Sequence, residues 1–259
     1  MQFAKWQGAG NDFIIIDNRE ALYDDLDSEL IKYLCHRNFG VGADGLILLG
    51  IDSESDFSMK YFNADGKEAE MCGNGARCII GFADRLGIIE DETQFMASDG
   101  IHGGRVLGND HYEIKMIDVK GYSKSEDDYY FLNTGVPHVV ILTKDIKKAK
   151  TLELGREIRY SPEFAPDGTN VNFVQLDDNK LKIRTYERGV ENETLACGTG
   201  VVASAIVASI EGGHKQNEFD CLVLGGKLRV SFELTANNGF KNIILEGPAR
   251  CVFEGEIVV

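Results

Sequence analysis

Met71-Cys72-Gly73-Asn74-Gly75-Ala76-Arg77 is answered 125 residues later by Ala196-Cys197-Gly198-Thr199-Gly200. Each stretch sets a cysteine and two glycines immediately ahead of a run with helical spacing. After the first, Cys78, Ile79, Phe82, Ala83 and Leu86 recur at intervals of three and four, and Gly87 ends the run. That pattern predicts one amphipathic helix. After the second, Val202, Ala205, Ile206 and Ser209 predict a helix from about 199 to near Gly212. Other landmarks keep nearly the same offset. Gly10-Asn11-Asp12 before the apolar run 13–16 corresponds to Val136-Pro137-His138 before 139–142, with Asn11 and His138 127 positions apart. Gly42 and Gly168, each ahead of an apolar strand-like run, are 126 apart, and Tyr61-Phe62-Asn63 and Tyr186-Glu187-Arg188 are 125 apart. Four landmarks in register over half the chain predict a duplication.

Each half also carries short stretches, such as 59–63 and 182–187, that alternate or are rich in β-branched and aromatic residues and read as strands. From Cys221 onward the chain reads mostly as short strands. The simplest architecture is α+β, with two lobes and a cleft between them. Gly40-Val41-Gly42-Ala43-Asp44-Gly45 fits the dinucleotide pattern G-x-G-x-x-G, but a helix at about 28–37 precedes it and a strand at 46–49 follows. Phosphate binding needs the opposite order, strand then helix, so the match is a decoy.

The chain has 259 residues, 43% hydrophobic and 27% charged, as expected of a globular protein. Its net charge of −15 and pI near 4.8 argue against nucleic acid and anionic membranes as partners. The densest basic run, 144–150, is interrupted by Asp145 and reads as a solvated face. The longest apolar stretch, 201–210, is far short of the ~20 residues a membrane helix needs. No signal-peptide core is visible at the amino terminus. Six cysteines (Cys35, Cys72, Cys78, Cys197, Cys221 and Cys251) are too sparse for a disulfide framework and predict reduced thiols in the cytoplasm.

A cysteine at a helix start sits beside about half a positive charge and unpaired N–H groups, which favour the thiolate. Flanking glycines let a ligand approach the backbone, and helix-start amides bind carboxylates. Two such cysteines facing one substrate suit stereoinversion at a carbon acid. One thiolate removes the α-proton and the other thiol protonates the opposite face, while the amides stabilise charge developing on the carboxylate. Cys35, Cys78, Cys221 and Cys251 lack that setting and read as small buried hydrophobes. A metal site is disfavoured, because Cys72 and Cys78 have the wrong spacing and the five histidines do not cluster. A redox pair is disfavoured by the absence of C-x-x-C.

At these residues the chain resembles the diaminopimelate epimerase family. The matching segments are Gly8-Ala9-Gly10-Asn11-Asp12-Phe13, Phe62-Asn63-Ala64-Asp65-Gly66, Met71 to Arg77, Tyr186-Glu187-Arg188-Gly189 and Ala196 to Gly200. Proline racemases share paired cysteines but lack the Asn-Gly-Ala-Arg and Tyr-Glu-Arg-Gly strings. A proline-racemase-like isomerase of another small acid is the alternative reading. The resemblance implies two pseudo-symmetric lobes, each a sheet wrapped around a central helix, with the site in the cleft. It implies boundaries of 1–118, completed by a strand at about 250–259, and 119–249. It also implies a cytoplasmic homodimer that needs no cofactor or metal and inverts one centre of LL-2,6-diaminopimelate to the meso form. Carried over by position, Cys72 and Cys197 are the acid/base pair, assisted by His138 and Glu187. Gly73, Asn74, Gly198 and Thr199 would hold the reacting carboxylate through their amides. Asn11, Asn63, Asn170, Glu187 and Arg188 would bind the remaining substrate groups. Two positions depart from the family pattern. Asp44-Gly45 stands where a substrate-contacting glutamine is usual, and the usual Asn-Pro-His reads Val136-Pro137-His138, without the asparagine.

Overall fold

The first hairpin turns on Ala9-Gly10, whose φ angles are 52° and 86°. Positive φ at both central residues is the type I′ geometry, whose twist matches that of the strands it joins. In the computed structural model, which describes residues 1–69 and 71–258, the chain divides into two compact units. One comprises Met1–Ile114 and the C-terminal segment from Gly247; the other is Lys115–Glu246.

In the first unit, β1 (Gln2–Gly8) pairs antiparallel with β2 (Asn11–Asp17), and α1 (Ser28–Cys35) leads to β3 (Gly45–Gly50), parallel to β2. Next, β4 (Phe57–Asn63) lies antiparallel to β3 and takes the short β5 (Glu68–Ala69) on its far side. After α2 (Gly73–Arg85) come β6 (Glu92–Ala97), parallel to β4, and the antiparallel pair β7 (Gly100–Gly108) and β8 (His111–Lys115).

The second unit repeats this order. Its β9 (Tyr122–Lys124) and β10 (Tyr129–Asn133) precede β11 (Pro137–Leu142), and α3 (Thr151–Arg159) leads to β12 (Asn170–Asp177), parallel to β11. Then β13 (Lys180–Glu187) lies antiparallel to β12, with β14 (Asn192–Thr194) beside it. After α4 (Gly198–Glu211), β15 (Glu218–Val223) runs parallel to β13, followed by β16 (Gly226–Leu234) and β17 (Phe240–Pro248). The register of the parallel pair is the same in both units: Phe13 stands opposite Gly45 and His138 opposite Asn170, each 32 positions on. Finally β18 (Arg250–Glu256) pairs antiparallel with β1 in the first unit.

Each unit closes its strands around one helix. The α2 helix packs on β1, β2, β3, β7 and β18, and Gly73 to Ala83 are all buried. The α4 helix packs on β10 to β13, β15 and β16, and is buried on every side from Gly200 to Ser209. Val201, Val202, Ile206 and Val207 are fully covered, each contributing roughly 1.5–3 kcal/mol of burial. A helix apolar all round can only be stable in such a core. Two expectations need correction. Leu86 is the cap residue beyond α2 and is 37% exposed, because the helix has already ended at Arg85. The strands after Cys221 are not short: β16 and β17 have nine residues each, and Cys221 itself lies inside β15.

Candidate active site

Cys72 and Cys197 occupy the same local position. Each is the residue before its helix, in extended conformation (φ −103°, ψ 127° and φ −121°, ψ 107°), with Gly-x-Gly opening the first turn. Cysteine has no oxygen to accept from the first-turn amides, unlike Ser, Thr, Asp or Asn, and neither thiol caps its helix. The positive end of each helix therefore meets a sulfur.

The surroundings of Cys72 begin in the first hairpin. Its Sγ lies 3.7 Å from Asn11 Oδ1, which also accepts from Asn74 Nδ2 at 3.1 Å. The Asn11 amide cannot be turned round, because its Nδ2 donates to the Asp44 carboxylate at 2.7 Å. Asn74 is fixed in the same way: its Oδ1 accepts from Arg77 Nη2 at 2.7 Å. The Arg77 guanidinium is wholly buried, and it also donates to the Gly73 and Pro248 carbonyls at 3.3 and 3.5 Å. Beyond Asp44 the chain of contacts runs through Arg37 to Asp12 and Lys5. Burial raises the Asp12 pKa, but Arg37 and Lys5 outweigh it and bring the carboxyl down to about 2.

A different network surrounds Cys197. Its Sγ is 3.5 Å from Thr199 Oγ1, which is 2.9 Å from His138 Nε2. The other ring nitrogen, Nδ1, faces Asn172 Nδ2 at 3.0 Å. His138 and Asn172 are both fully buried. Burial, with the Arg188 charge adding to it, lowers the His138 pKa to about 3, so the ring is neutral at ordinary pH. Gly200 is what lets α4 approach this closely: a Cβ there would stand 2.3 Å from Asn172 Oδ1.

The remaining anticipated residues divide into two groups. Asn170 is buried, and its Oδ1 accepts from the Arg188 backbone N–H at 2.8 Å, tying β12 to the end of β13. Glu187 Oε2 accepts from Thr194 Oγ1 at 2.7 Å. Asn63 stands at the exposed end of β4, where its Oδ1 accepts from the Tyr61 hydroxyl at 2.7 Å. Asp44, noted in the sequence only as a departure, anchors Asn11. Arg77, Asn172, Thr185 and the Thr199 hydroxyl were not anticipated. The polar alternation Asn170-Val171-Asn172 at the buried start of the strand was the available signal, since a buried amide needs partners.

The other cysteines are held protonated. Burial pushes Cys35 up to about 12 and moves Cys78, Cys221 and Cys251 in the same direction. Among the described residues no three His, Cys, Asp or Glu side chains are grouped as a metal site, and no helix is long and apolar enough to cross a membrane.

Comparison with known proteins gives consistent results. A family model described as "Diaminopimelate epimerase" matches residues 3–101 and 130–252. A diaminopimelate epimerase of Flavobacterium psychrophilum is 46% identical over 258 residues, covering 99% of this chain and all of that one. One from Aquifex aeolicus is 40% identical over 278 aligned positions, covering 99% and 98%. Among solved structures, a Bacillus anthracis phenazine biosynthesis protein of the PhzF family superposes with a TM-score of 0.78 at 15% identity, covering 100% and 99%. A probable proline racemase from Agrobacterium radiobacter does so with 0.70 at 15%, covering 100% and 93%. At that identity the likeness is one of fold alone, the α+β fold these proteins share.

Proposed function

The chain belongs to the diaminopimelate epimerase family and is an isomerase, and from that membership we propose that Cys72 and Cys197 invert one α-carbon of LL-2,6-diaminopimelate to give the meso isomer. The observation that carries this reading is the duplicated helix start. Two thiols in equivalent positions each have first-turn amides beside them and a hydrogen-bond network of their own.

Helix-start amides of Gly73-Asn74 and Gly198-Thr199 take the α-carboxylate and stabilise the charge that builds on it as the proton leaves. One sulfur must begin as thiolate and the other as thiol. Cys72 meets an amide oxygen, which can only accept, so it is the thiol at rest. Cys197 is then the thiolate. It takes the α-proton and becomes a thiol, while Cys72 gives its proton to the opposite face and becomes a thiolate. Exchange with water restores the resting pair. Asn11, Asn63, Asn170, Glu187 and Arg188 bind the ammonium groups and the distal carboxylate, with Arg188 supplying the planar fork that suits a carboxylate. His138 and Glu187 support the proton transfers. No cofactor enters this chemistry. We also infer a cytoplasmic homodimer, a setting in which the thiols stay reduced.

Incubation with LL-diaminopimelate in D₂O tests the reading. Inversion with one deuterium incorporated at the inverted α-carbon is expected. Turnover of proline or hydroxyproline in place of diaminopimelate would favour the proline-racemase-like alternative.

A further inference from the structure

Asn172 lies on β12, two residues beyond Asn170, and its side chain makes three polar contacts without reaching the cysteine. Its Nδ2 donates to the Val139 carbonyl at 3.0 Å and faces His138 Nδ1 at 3.0 Å. Its Oδ1 accepts from the Thr185 hydroxyl at 2.9 Å. The amide can sit only one way round. Reversal would press its oxygen against the Val139 carbonyl oxygen and turn its NH₂ to the Thr185 hydroxyl, losing the Val139 hydrogen bond. With Nδ2 as donor, His138 Nδ1 must be the acceptor. The single proton of a neutral imidazole is then on Nε2. That N–H donates to Thr199 Oγ1 at 2.9 Å. The Thr199 hydroxyl hydrogen is left with one acceptor among the described residues, Cys197 Sγ at 3.5 Å.

We propose that Asn172 is a positioning residue which locks His138 as the Nε2–H tautomer and thereby aims the Thr199 hydroxyl at Cys197 as a donor that stabilises its thiolate. The inference rests on the reading of Cys197 as the resting base. It gives His138 the role of a fixed donor rather than a titrating acid or base. The depressed pKa of the ring agrees with this: burial is its main cause and the Arg188 charge adds to it. The first unit has the opposite polarity. Asp44 and Arg77 fix Asn11 and Asn74 so that an acceptor oxygen meets Cys72. Two equivalent thiols are thus biased to opposite protonation states by the amides behind them.

The test combines a spectrum with kinetics. In protein labelled with ¹⁵N at histidine, long-range ¹H–¹⁵N correlation should show His138 protonated at Nε2 and unprotonated at Nδ1, unchanged through the neutral range. The His138→Gln spectrum supplies the assignment. An Nδ1–H tautomer, or conversion to imidazolium near neutrality, would overturn the proposal. Thr199→Val should lower kcat by ~10–100-fold with KM changed less than about threefold, the loss expected for one hydrogen bond to a charged group. It should also raise the apparent pKa for alkylation of Cys197 by about one unit or more, followed by peptide mass spectrometry. Thr199→Ser should restore both. Asn172→Leu, where it folds, should give a mixed tautomer spectrum and the same rise at Cys197. Unchanged alkylation in Thr199→Val would sink the relay even with Cys197 essential. Retained epimerisation in Cys197→Ala would instead sink the two-thiol reading beneath it.

Discussion

In the proposed mechanism the chemistry rests on two sulfurs, Cys72 and Cys197, and on what stands within 4 Å of each. Cys72→Ala and Cys197→Ala should each abolish epimerisation while leaving the thermal unfolding midpoint nearly unchanged. Either variant keeping near-wild-type inversion would remove the two-base reading. Alkylation should distinguish the same pair from the other cysteines. At mildly alkaline pH, iodoacetamide should label Cys72 and Cys197 well before Cys35, Cys78 and Cys221, whose thiols burial holds protonated. Arg188 belongs to this scale too. On the proposed reading, Val136 brings no donor to the distal carboxylate and the net charge of −15 repels a dicarboxylate, which leaves local recognition to Arg188. A charged hydrogen bond is worth roughly 1.5–3 kcal/mol. Arg188→Ala should therefore lower kcat/KM at least about tenfold, and Arg188→Lys should recover only part, since lysine lacks the fork. A kinetically silent Arg188→Ala would take Arg188 out of the substrate site.

Among the elements, the helix starts set the precision of the site. Gly200 permits the first turn of α4 to lie against Asn172, and an added Cβ would fall 2.3 Å from Asn172 Oδ1 and 3.3 Å from the His138 ring. Gly200→Ala should therefore push the turn away, lowering kcat more than KM and costing stability in the overpacking range of about 1–3 kcal/mol. At the other end of the same helix, Gly212 has φ −77° and an added Cβ would come no closer than 3.3 Å to the backbone. Gly212→Ala is the control and should stay within a fraction of the Gly200 effect in both melting and kinetics. Equal losses in the two variants would mean that helix propensity, not the approach to Asn172, decides the result. The glycines around the cysteines were legible in the sequence as places of close backbone approach. That one of them faces an asparagine on a neighbouring strand was not.

Over the whole molecule, acid stability should carry two signatures. His138 has a pKa lowered from 6.5 to about 3, so below 6.5 the unfolded chain takes up a proton that the folded one refuses. Its contribution is complete above 6.5 and is lost as pH falls toward 3. Asp12, lowered from 3.8 to about 2 by Arg37 and Lys5, contributes fully above 3.8 and loses its effect as pH falls toward 2. The unfolding midpoint should thus begin to drop below 6.5 and fall faster below 3.8. Removing the titrating ring in His138→Gln should flatten the upper part of that curve, and Asp12→Asn the lower. A wild-type midpoint constant from 6.5 down to 4 would contradict the buried neutral histidine.

The sequence by itself determined the duplication, the two helices behind Cys72 and Cys197, the α+β class and the family. It could do so because each of those signals is contiguous: a glycine pattern, an apolar period or a motif string lies within about a dozen residues. It also sufficed to reject the decoy at 40–45, since element order is itself a local property; Gly45 indeed opens a strand. Leu86 misled because apolar spacing does not mark the last helical turn. Only the tertiary structure decided which group stands behind each sulfur. Asp44 reaches Asn11 across 33 residues, His138 meets Asn172 across 34, and Thr199 meets His138 across 61. Those meetings depend on the parallel register that sets β2 beside β3 and β11 beside β12, and on helices seated against those strands. The direction of a hydrogen bond is a property of both partners, and in these three contacts no single segment of the chain contains both.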